Sequence, residues 1–318
     1  MAPHERARSL AEVGEFAVID ELVRGRRQPS GVIVGPGDDA AVLTAADGRT
    51  VVSTDMLVEG RHFRLDWSTP HDIGRKAIAQ NAADIEAMGA AATGFVVGFG
   101  APAGTPADMA VAVADGLWEE AGAIGAGIVG GDLVSAPQWV ISVTVLGDLG
   151  GRQPVLRGGA RAGDTVAVVG DLGKSAAGFL LWDNEIDDFA MLRRAHLVPA
   201  PPYGQGRIAA DGGATAMTDV SDGLLADLGH IAAMSGCVID VSRALLEDDH
   251  AAVVDAATAV GTDPWSLVLG GGEDHALVAT FPAEPPPGWR VIGRVRTGPP
   301  GILVDGDEPT GSRGWQSY

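Results

Sequence analysis

The sequence predicts a protein of two mixed domains, α/β or α+β in class. Three observations carry that expectation. The chain has 318 residues and is 46% hydrophobic, enough for one large domain or two ordinary ones. Short apolar runs that read as strands alternate with longer runs that read as helices, in both halves. Between them lies GDLGGRQPVLRGGARAGD, rich in glycine and arginine. It sets a boundary near residue 150, giving domains 1–150 and 151–318.

The elements follow in order. Ser9-Leu-Ala-Glu12 is a capping box that opens a helix through about Val23. Strand-like runs follow at Val32–Val34, Ala40–Leu43 and Val51–Ser53. Pro70 to Met88 reads as a helix, with Asn81 and Asp84 three apart on one face. Thr93–Phe99 is strand-like, Thr105–Ala123 helical and Val140–Leu146 strand-like. Beyond the boundary come a strand at Val166–Val169, helices across roughly 173–210, and a strand-to-helix turn at Thr218–Leu228. A strand at Val238–Val241 follows, and Pro282–Pro287 interrupts the C-terminal strands.

Charge and cysteine usage exclude several function classes. Lys and Arg number 22 against 42 Asp and Glu, a formal charge of −20. Nucleic-acid binders show a basic patch; the nearest thing here, Arg24-Gly-Arg26-Arg27, reads as a solvated loop. The acidity also disfavours anionic membranes. The single cysteine, Cys237, allows no internal disulfide and reads as a buried strand residue in GCVIDV. With no secretory leader and no apolar run of membrane-spanning length, the expected location is the cytoplasm.

The chemistry is carried by six carboxylates beside Gly, Ser or Thr: Asp39 in GPGDD, Asp55 in STD, Asp84 in NAAD, Asp132 in GGD, and Asp219 and Asp222 in TDVSDG. Most follow an apolar run, which places them at strand ends. Hard oxygen ligands of this kind suit Mg²⁺, which commonly bridges carboxylates to substrate phosphates. The expectation is a magnesium-dependent phosphoryl-transfer enzyme. Five of the six also have a plain reading: an Asx turn for Asp39, a cap or turn cluster for Ser53-Thr54-Asp55, a solvated helix face for Asp84, a helix cap for Asp219 and Asp222.

Two motifs mislead. Gly35-Pro-Gly37-Asp-Asp-Ala40 fits a dinucleotide fingerprint, yet Asp38 and Asp39 would face the pyrophosphate and AAVL continues as a strand. Gly170-Asp-Leu-Gly173-Lys174-Ser175 resembles a P-loop, but Val168 stands where its first glycine belongs. A tight turn opening a helix is the better reading.

Taken together, GPGDDAAVL, STDMLVEGRHF, NAADIEAMGA, IVGGD, VLRGGARAGD, TDVSDGLLADLGHI and GGGEDH resemble, in order, the thiamine-monophosphate kinase family of the aminoimidazole ribonucleotide synthetase-like superfamily. The resemblance runs from about Glu15 to Trp315. It implies a two-domain fold whose N-terminal strands form a barrel across a homodimer interface. It also implies an active site in the cleft between the domains, where ATP phosphorylates thiamine monophosphate to thiamine diphosphate. Several Mg²⁺ ions are expected, held by Asp39, Ser53, Thr54, Asp55, Asp84, Asp132, Asp219 and Asp222. Asp38 is the alternative to Asp39, and Asp132 is expected on the same metal as Asp55. Gly131, Asp132, Arg157 and Ser221 are expected on ATP, and His62, Glu273 and Trp315 around thiamine monophosphate. Asp39, Asp55, Asp132 and Asp219 carry the catalytic expectation. Two positions depart from the family: Leu-Val follows Asp132 where Thr is common, and His275 stands where Tyr is common. Another ATP-dependent enzyme of the superfamily is the alternative.

Overall fold

The computed structural model describes residues 8–13, 15–34, 42–311 and 314. Asp38, Asp39 and Trp315, and with them the whole Gly35–Ala40 run, lie outside the described residues. Two compact units emerge. The first joins Met1–Asn81 to Ala92–Asp148; the second joins Ala82–Ala91 to Leu149–Tyr318.

In the first unit, α1 (Leu10–Val13) and α2 (Glu15–Val23) precede β1 (Val32–Val34), β2 (Val42–Leu43) and β3 (Val51–Val58). Then come α3 (Pro70–Ala87), β4 (Ala91–Ala101), α4 (Ala107–Ala123), β5 (Ile128–Ser135) and β6 (Val140–Asp148). The capping box forms as its sequence dictates. The Ser9 amide donates to Glu12 Oε2 at 2.8 Å, and the Glu12 amide donates back to Ser9 Oγ at 3.3 Å.

Strands β3, β6, β4 and β5 form one sheet in that order. β3 and β6 are antiparallel and β4 and β5 parallel, the latter joined through α4. Period-two alternation gives the sheet two faces. Leu57, Phe95, Val97, Phe99, Ile141, Val143 and Val145 are buried on one, while Val52, Met56, Val96 and Val134 are exposed on the other. Arg26, from the loop read as solvated, pairs with Asp115.

The second unit contains β7 (Thr165–Val169), α5 (Lys174–Asp183), α6 (Ala190–Leu197), α7 (Gln205–Asp211), β8 (Ala216–Asp219) and α8 (Leu224–Ser235). It continues with β9 (Val238–Val241), α9 (Glu247–Val260), α10 (Pro264–Gly270), β10 (Leu277–Phe281), β11 (Arg290–Arg296) and β12 (Gly301–Val304). Six strands lie in the order β12-β9-β11-β7-β10-β8, antiparallel except for β12 with β9. Both faces are covered, so the inner strands read as unbroken apolar runs. On one face Val166, Val168, Val278 and Ile292 pack with Leu181, Leu228, Ile231, Val253 and Val268. On the other, Ala167, Leu277 and Phe281 pack with Ala87, Ala209 and Trp289.

Two expectations about placement change. Asp55 does not end a strand: β3 runs on to Val58, because Met56, Leu57 and Val58 continue the extended pattern opposite β6. Asp132 and its glycines are not a turn but lie inside β5, paired with Val96–Gly98 of β4. Asp84 lies within a helix, as expected, and Asp219 closes β8.

Candidate active site

The expected residues among those described divide evenly, six in each unit, and those of the second cluster about one turn. Asp219 ends β8, and the turn Val220-Ser221-Asp222-Gly223 leads into α8. The GGGEDH loop runs alongside in the opposite direction. The Glu273 amide donates to Ser221 O at 2.7 Å, the His275 amide to Val220 O at 2.9 Å, and the Val220 amide to Ala276 O at 2.8 Å. This zipper extends the β8–β10 pairing past the strand ends. It needs glycine: a Cβ on Gly272 would stand 2.5 Å from Ser221 O.

Inside that frame, His275 Nδ1 lies 3.1 Å from Asp219 Oδ2, both side chains buried. Burial alone would lower the His275 pKa. The hydrogen bond to Asp219 and the charges of Asp219, Glu273 and Asp84 outweigh it and raise the value above the usual 6.5. Asp84 is thereby placed with Asp219 and Glu273 around one imidazole. Asp222 lies close by. Burial raises its pKa, His230 pulls it down, Asp219 pushes it up, and Arg157 and His275 pull it down. Asp227 accepts the Asp222 and Gly223 amides at 3.0 and 3.1 Å, fixing the turn. Its pKa is pushed up to about 7 by burial, then by Asp219 and Asp222. Ligand atoms of Asp222, Asp227 and His230 lie within 4.8 Å of one another. Carboxylates that raise one another's pKa in this way are short of positive charge, and their oxygens are the donors a hard divalent cation takes. The residues fit Mg²⁺.

Arg157 reaches the same place, with Nε donating to Thr218 Oγ1 at 3.2 Å. Glu273 takes a left-handed backbone, φ 63°, and its Oε2 lies 3.6 Å from His196 Nδ1. Ser175 Oγ sits 3.3 Å from that same nitrogen. Ser175 and His196 stand behind Glu273 and back its side chain.

The P-loop-like segment is a helix start, as its spacing implied. Gly173 and Ser175 amides donate to the Asp274 carboxylate at 2.6 and 2.8 Å, and Lys174 pairs with Asp171 at 2.8 Å. The place where a phosphate would bind is filled by the chain's own carboxylate.

The first unit holds Ser53, Thr54, Asp55, His62, Gly131 and Asp132. The Asp55 amide donates to Asn81 Oδ1 at 3.1 Å, and Asn81 Nδ2 donates to Ala77 O at 2.9 Å. Thr54 lies on the opposite face from Ser53 and Asp55. Its hydroxyl donates to Val143 O at 3.0 Å, which removes that hydroxyl from a shell shared with them. His62 Nδ1 accepts the Val58 amide at 3.0 Å, so a neutral ring carries its proton on Nε2. Buried Lys76, absent from the sequence reading, holds that loop through His62 O at 2.8 Å.

Asp55 and Asp132 do not come together within one chain. β3 and β5 are the two edges of the sheet with β6 and β4 between, about 14 Å at normal strand spacing. Their side chains also point to opposite faces, since Leu57 and Leu133 mark the buried side and Asp132 is out of phase with Leu133. Gly131 has a packing reason: a Cβ there would stand 2.3 Å from Val97 O. Cys237 is buried and its thiol pKa is raised, first by burial and then by Asp164, as suits a structural residue.

Among the residues missed in sequence, Asp227, Lys76 and Glu86 share a trait. Each is a charged group on a helix face that is otherwise apolar, a visible signal. Glu86 spends its carboxylate on the Gly204 and Gly206 amides, at 2.9 and 3.0 Å.

Comparison with known proteins gives the family. Residues 37–149 match the AIR synthase related protein N-terminal domain, and residues 161–304 the corresponding C-terminal domain. Thiamine-monophosphate kinase of Mycobacterium tuberculosis is 70% identical over 310 residues, covering 98% of this chain and 93% of that one. The Corynebacterium glutamicum enzyme of that name is 43% identical, covering 98% and 95%. The solved structure of AaThiL complexed with AMPPCP and TMP superposes with a TM-score of 0.78 at 29% identity, with both chains fully covered. Hydrogenase maturation protein HypE of E. coli reaches a TM-score of 0.72 at 22% identity, covering 94% and 95%, which shares the fold. The chain belongs to the thiamine-monophosphate kinase family, on the two-domain AIR synthase related fold.

Proposed function

We propose that this protein transfers the γ-phosphoryl group of ATP to thiamine monophosphate, giving thiamine diphosphate. The observation that carries the reading is 70% identity to a thiamine-monophosphate kinase across 98% of the chain. The AaThiL complex with AMPPCP and TMP supports the same pair of substrates.

Both substrates are anions at neutral pH, the phosphomonoester about −1.5 to −2. Asp84, Asp219 and Asp222 are the holders of Mg²⁺ in the second unit, joined by Ser53, Thr54, Asp55 and Asp132 of the first and by Asp39. Bound there, Mg²⁺ supplies charge neutralisation for the phosphates and for the transferring group. Thr54 serves through its carbonyl, since its hydroxyl is engaged. Arg157, Ser221, Gly131 and Asp132 serve the nucleotide. Arg157 has the planar fork that phosphate oxygens accept from, and Thr218 orients it. His62, Glu273 and Trp315 serve thiamine monophosphate, with Glu273 supplying the negative charge a thiazolium needs.

The acceptor is an ionised phosphate oxygen, so no strong general base is required. The reaction is a direct in-line transfer with no phosphoenzyme. Residues 1–150 act as the ATP- and Mg²⁺-binding domain and 151–318 as the C-terminal domain. The working form is a homodimer in which the exposed face bearing Val52, Met56, Val96 and Val134 is covered as a barrel. That apolar face and the open edges β3 and β5 support it. Among the described residues no helix is long and apolar enough to cross a membrane; the cytoplasm is the proposed location.

The test is incubation with ATP, Mg²⁺ and thiamine monophosphate, with Asp219→Asn in parallel. Thiamine diphosphate from the wild type and little from the variant is the expected result. ATP binding without thiamine diphosphate overturns the substrate. A trapped phosphoprotein, or net retention at a chiral phosphorus, overturns direct transfer.

A further inference from the structure

His275 is 5% exposed, and its ring is delivered with unusual constraint. Its backbone is left-handed, φ 54°, a region that His tolerates better than most non-glycine residues. Its amide is tied to Val220 O and the Val220 carbonyl is thereby fixed one residue from Asp219. Asp219 is 2% exposed and sits in register with Leu277 across the β8–β10 pair. Ring and carboxylate are therefore held from both sides by backbone pairing. Nδ1 and Oδ2 stand 3.1 Å apart, at hydrogen-bond distance. In the tautomer with its proton on Nδ1, the ring donates to the carboxylate.

We propose that His275 is a positioning residue for the metal site: its Nδ1–H bonds Oδ2 of Asp219, fixes the plane of the carboxylate and leaves Oδ1 as its less encumbered oxygen for a divalent cation. This rests on the reading of Asp219 as a metal ligand. A carboxylate free to turn would offer either oxygen or both, at a cost in ordering when the cation binds. One locked by a buried donor has its plane and one of its four lone-pair sites fixed before the cation arrives. Partners of this kind, standing behind a ligand, typically change metal affinity by about 10- to 100-fold. His275 touches neither substrate nor cation in this assignment; it acts through Asp219.

The experiment is a titration of nucleotide-free protein with Mn²⁺ alone, followed by the electron paramagnetic resonance signal of free Mn²⁺. Four proteins are compared: wild type, Asp219→Asn, His275→Asn and His275→Phe. Asn keeps an amide N–H near the position of Nδ1 and tolerates the left-handed backbone; Phe keeps a ring without a donor. The expected result is a loss of about 10-fold in Mn²⁺ affinity for H275F, and recovery in H275N to within roughly 3-fold of wild type. Metal-free melting curves separate this from misfolding. Wild-type affinity in H275F alongside weakened D219N overturns the inference and leaves Asp219 a ligand. Equal weakening in H275F and H275N also overturns it, because the loss then follows the ring and not its N–H. Wild-type affinity in D219N overturns the metal reading of Asp219, and the inference with it. Where H275F does not fold, ¹⁵N-histidine NMR of the wild type decides. The Nδ1 of His275 must carry a proton whose resonance moves on addition of Mg²⁺, and an unprotonated or unmoved Nδ1 overturns the proposal.

Discussion

Asn81 and Asp55 are joined across two elements: the Asn81 side-chain oxygen accepts the Asp55 amide at 3.1 Å, while its nitrogen holds Ala77 O at 2.9 Å. Asn81 is fully buried, so neither group has water to fall back on. Replacing it by Ala leaves the Asp55 amide without that acceptor, a cost of about 1–3 kcal/mol. It also frees the β3 backbone that aims Asp55. Asn81→Ala is expected to melt lower and to need more Mg²⁺ for half-maximal activity. Unchanged melting and unchanged Mg²⁺ dependence would show that the bridge does not matter.

Gly272→Ala tests the loop zipper. The new Cβ would stand 2.5 Å from Ser221 O, and both partners are backbone, so the loop must move. Forced repacking of this kind costs typically about 1–3 kcal/mol. The displaced segment carries both Glu273 and His275. Thiamine monophosphate turnover is expected to fall further than the melting temperature alone explains. A variant with lower melting temperature and wild-type kcat and KM would make the glycine a packing residue only.

How much of this was legible in the sequence depended on the kind of signal. The capping box at Ser9–Glu12, the helix from Pro70 and the strand Val238–Val241 obey local rules and stand where local rules put them. Asp55 and Asp132 misled because Ser, Thr and Gly beside an Asp imitate a turn. What decides is the partner strand, β6 for one and β4 for the other, and pairing is not a local property. The strand containing IVGGD was hidden for the same reason. The helix α9, EDDHAAVVDAATAV, went unread although its acidic first turn is an ordinary start signal. In the site, the carboxylates announce themselves, but their supports do not. That His275 meets Asp219, that Asp274 caps α5 and that His196 backs Glu273 are long-range facts, spanning 56, 101 and 77 residues of chain.

Asp274 sets a pH dependence. Burial pushes its pKa from 3.8 up to about 7, against the lowering effect of the Ser175 and Gly173 amides. The folded state therefore holds this proton more tightly than the unfolded chain. Its contribution to stability is fully present below about pH 4 and is lost as pH rises to about 7, at most about 4 kcal/mol. Glu86, Asp222 and Asp227 are raised too, and shift stability in the same sense. Metal-free protein is expected to resist urea better at pH 5 than at pH 8. Asp274→Asn keeps an acceptor but has no proton to lose, so the gap should narrow. An unchanged gap would mean that Asp274 is ionised in the folded state throughout.

The exposed face of the first unit makes the last prediction. Val52 and Met56 of β3, Val96 of β4 and Val134 of β5 are 59%, 53%, 37% and 51% exposed, on one side of one sheet. Alternation normally puts polar residues on a solvated face. Four apolar side chains there, with both sheet edges open among the described residues, suit the covering that the proposed dimer barrel supplies. Met56→Lys with Val134→Lys places two desolvated charges in any such contact while leaving the buried face untouched. Wild-type protein is expected to sediment at twice its 32.4 kDa chain mass, and the double variant at that mass or in a concentration-dependent mixture. A wild type that sediments as single chains at micromolar concentration would remove the homodimer. A double variant that stays dimeric would move the interface to another face.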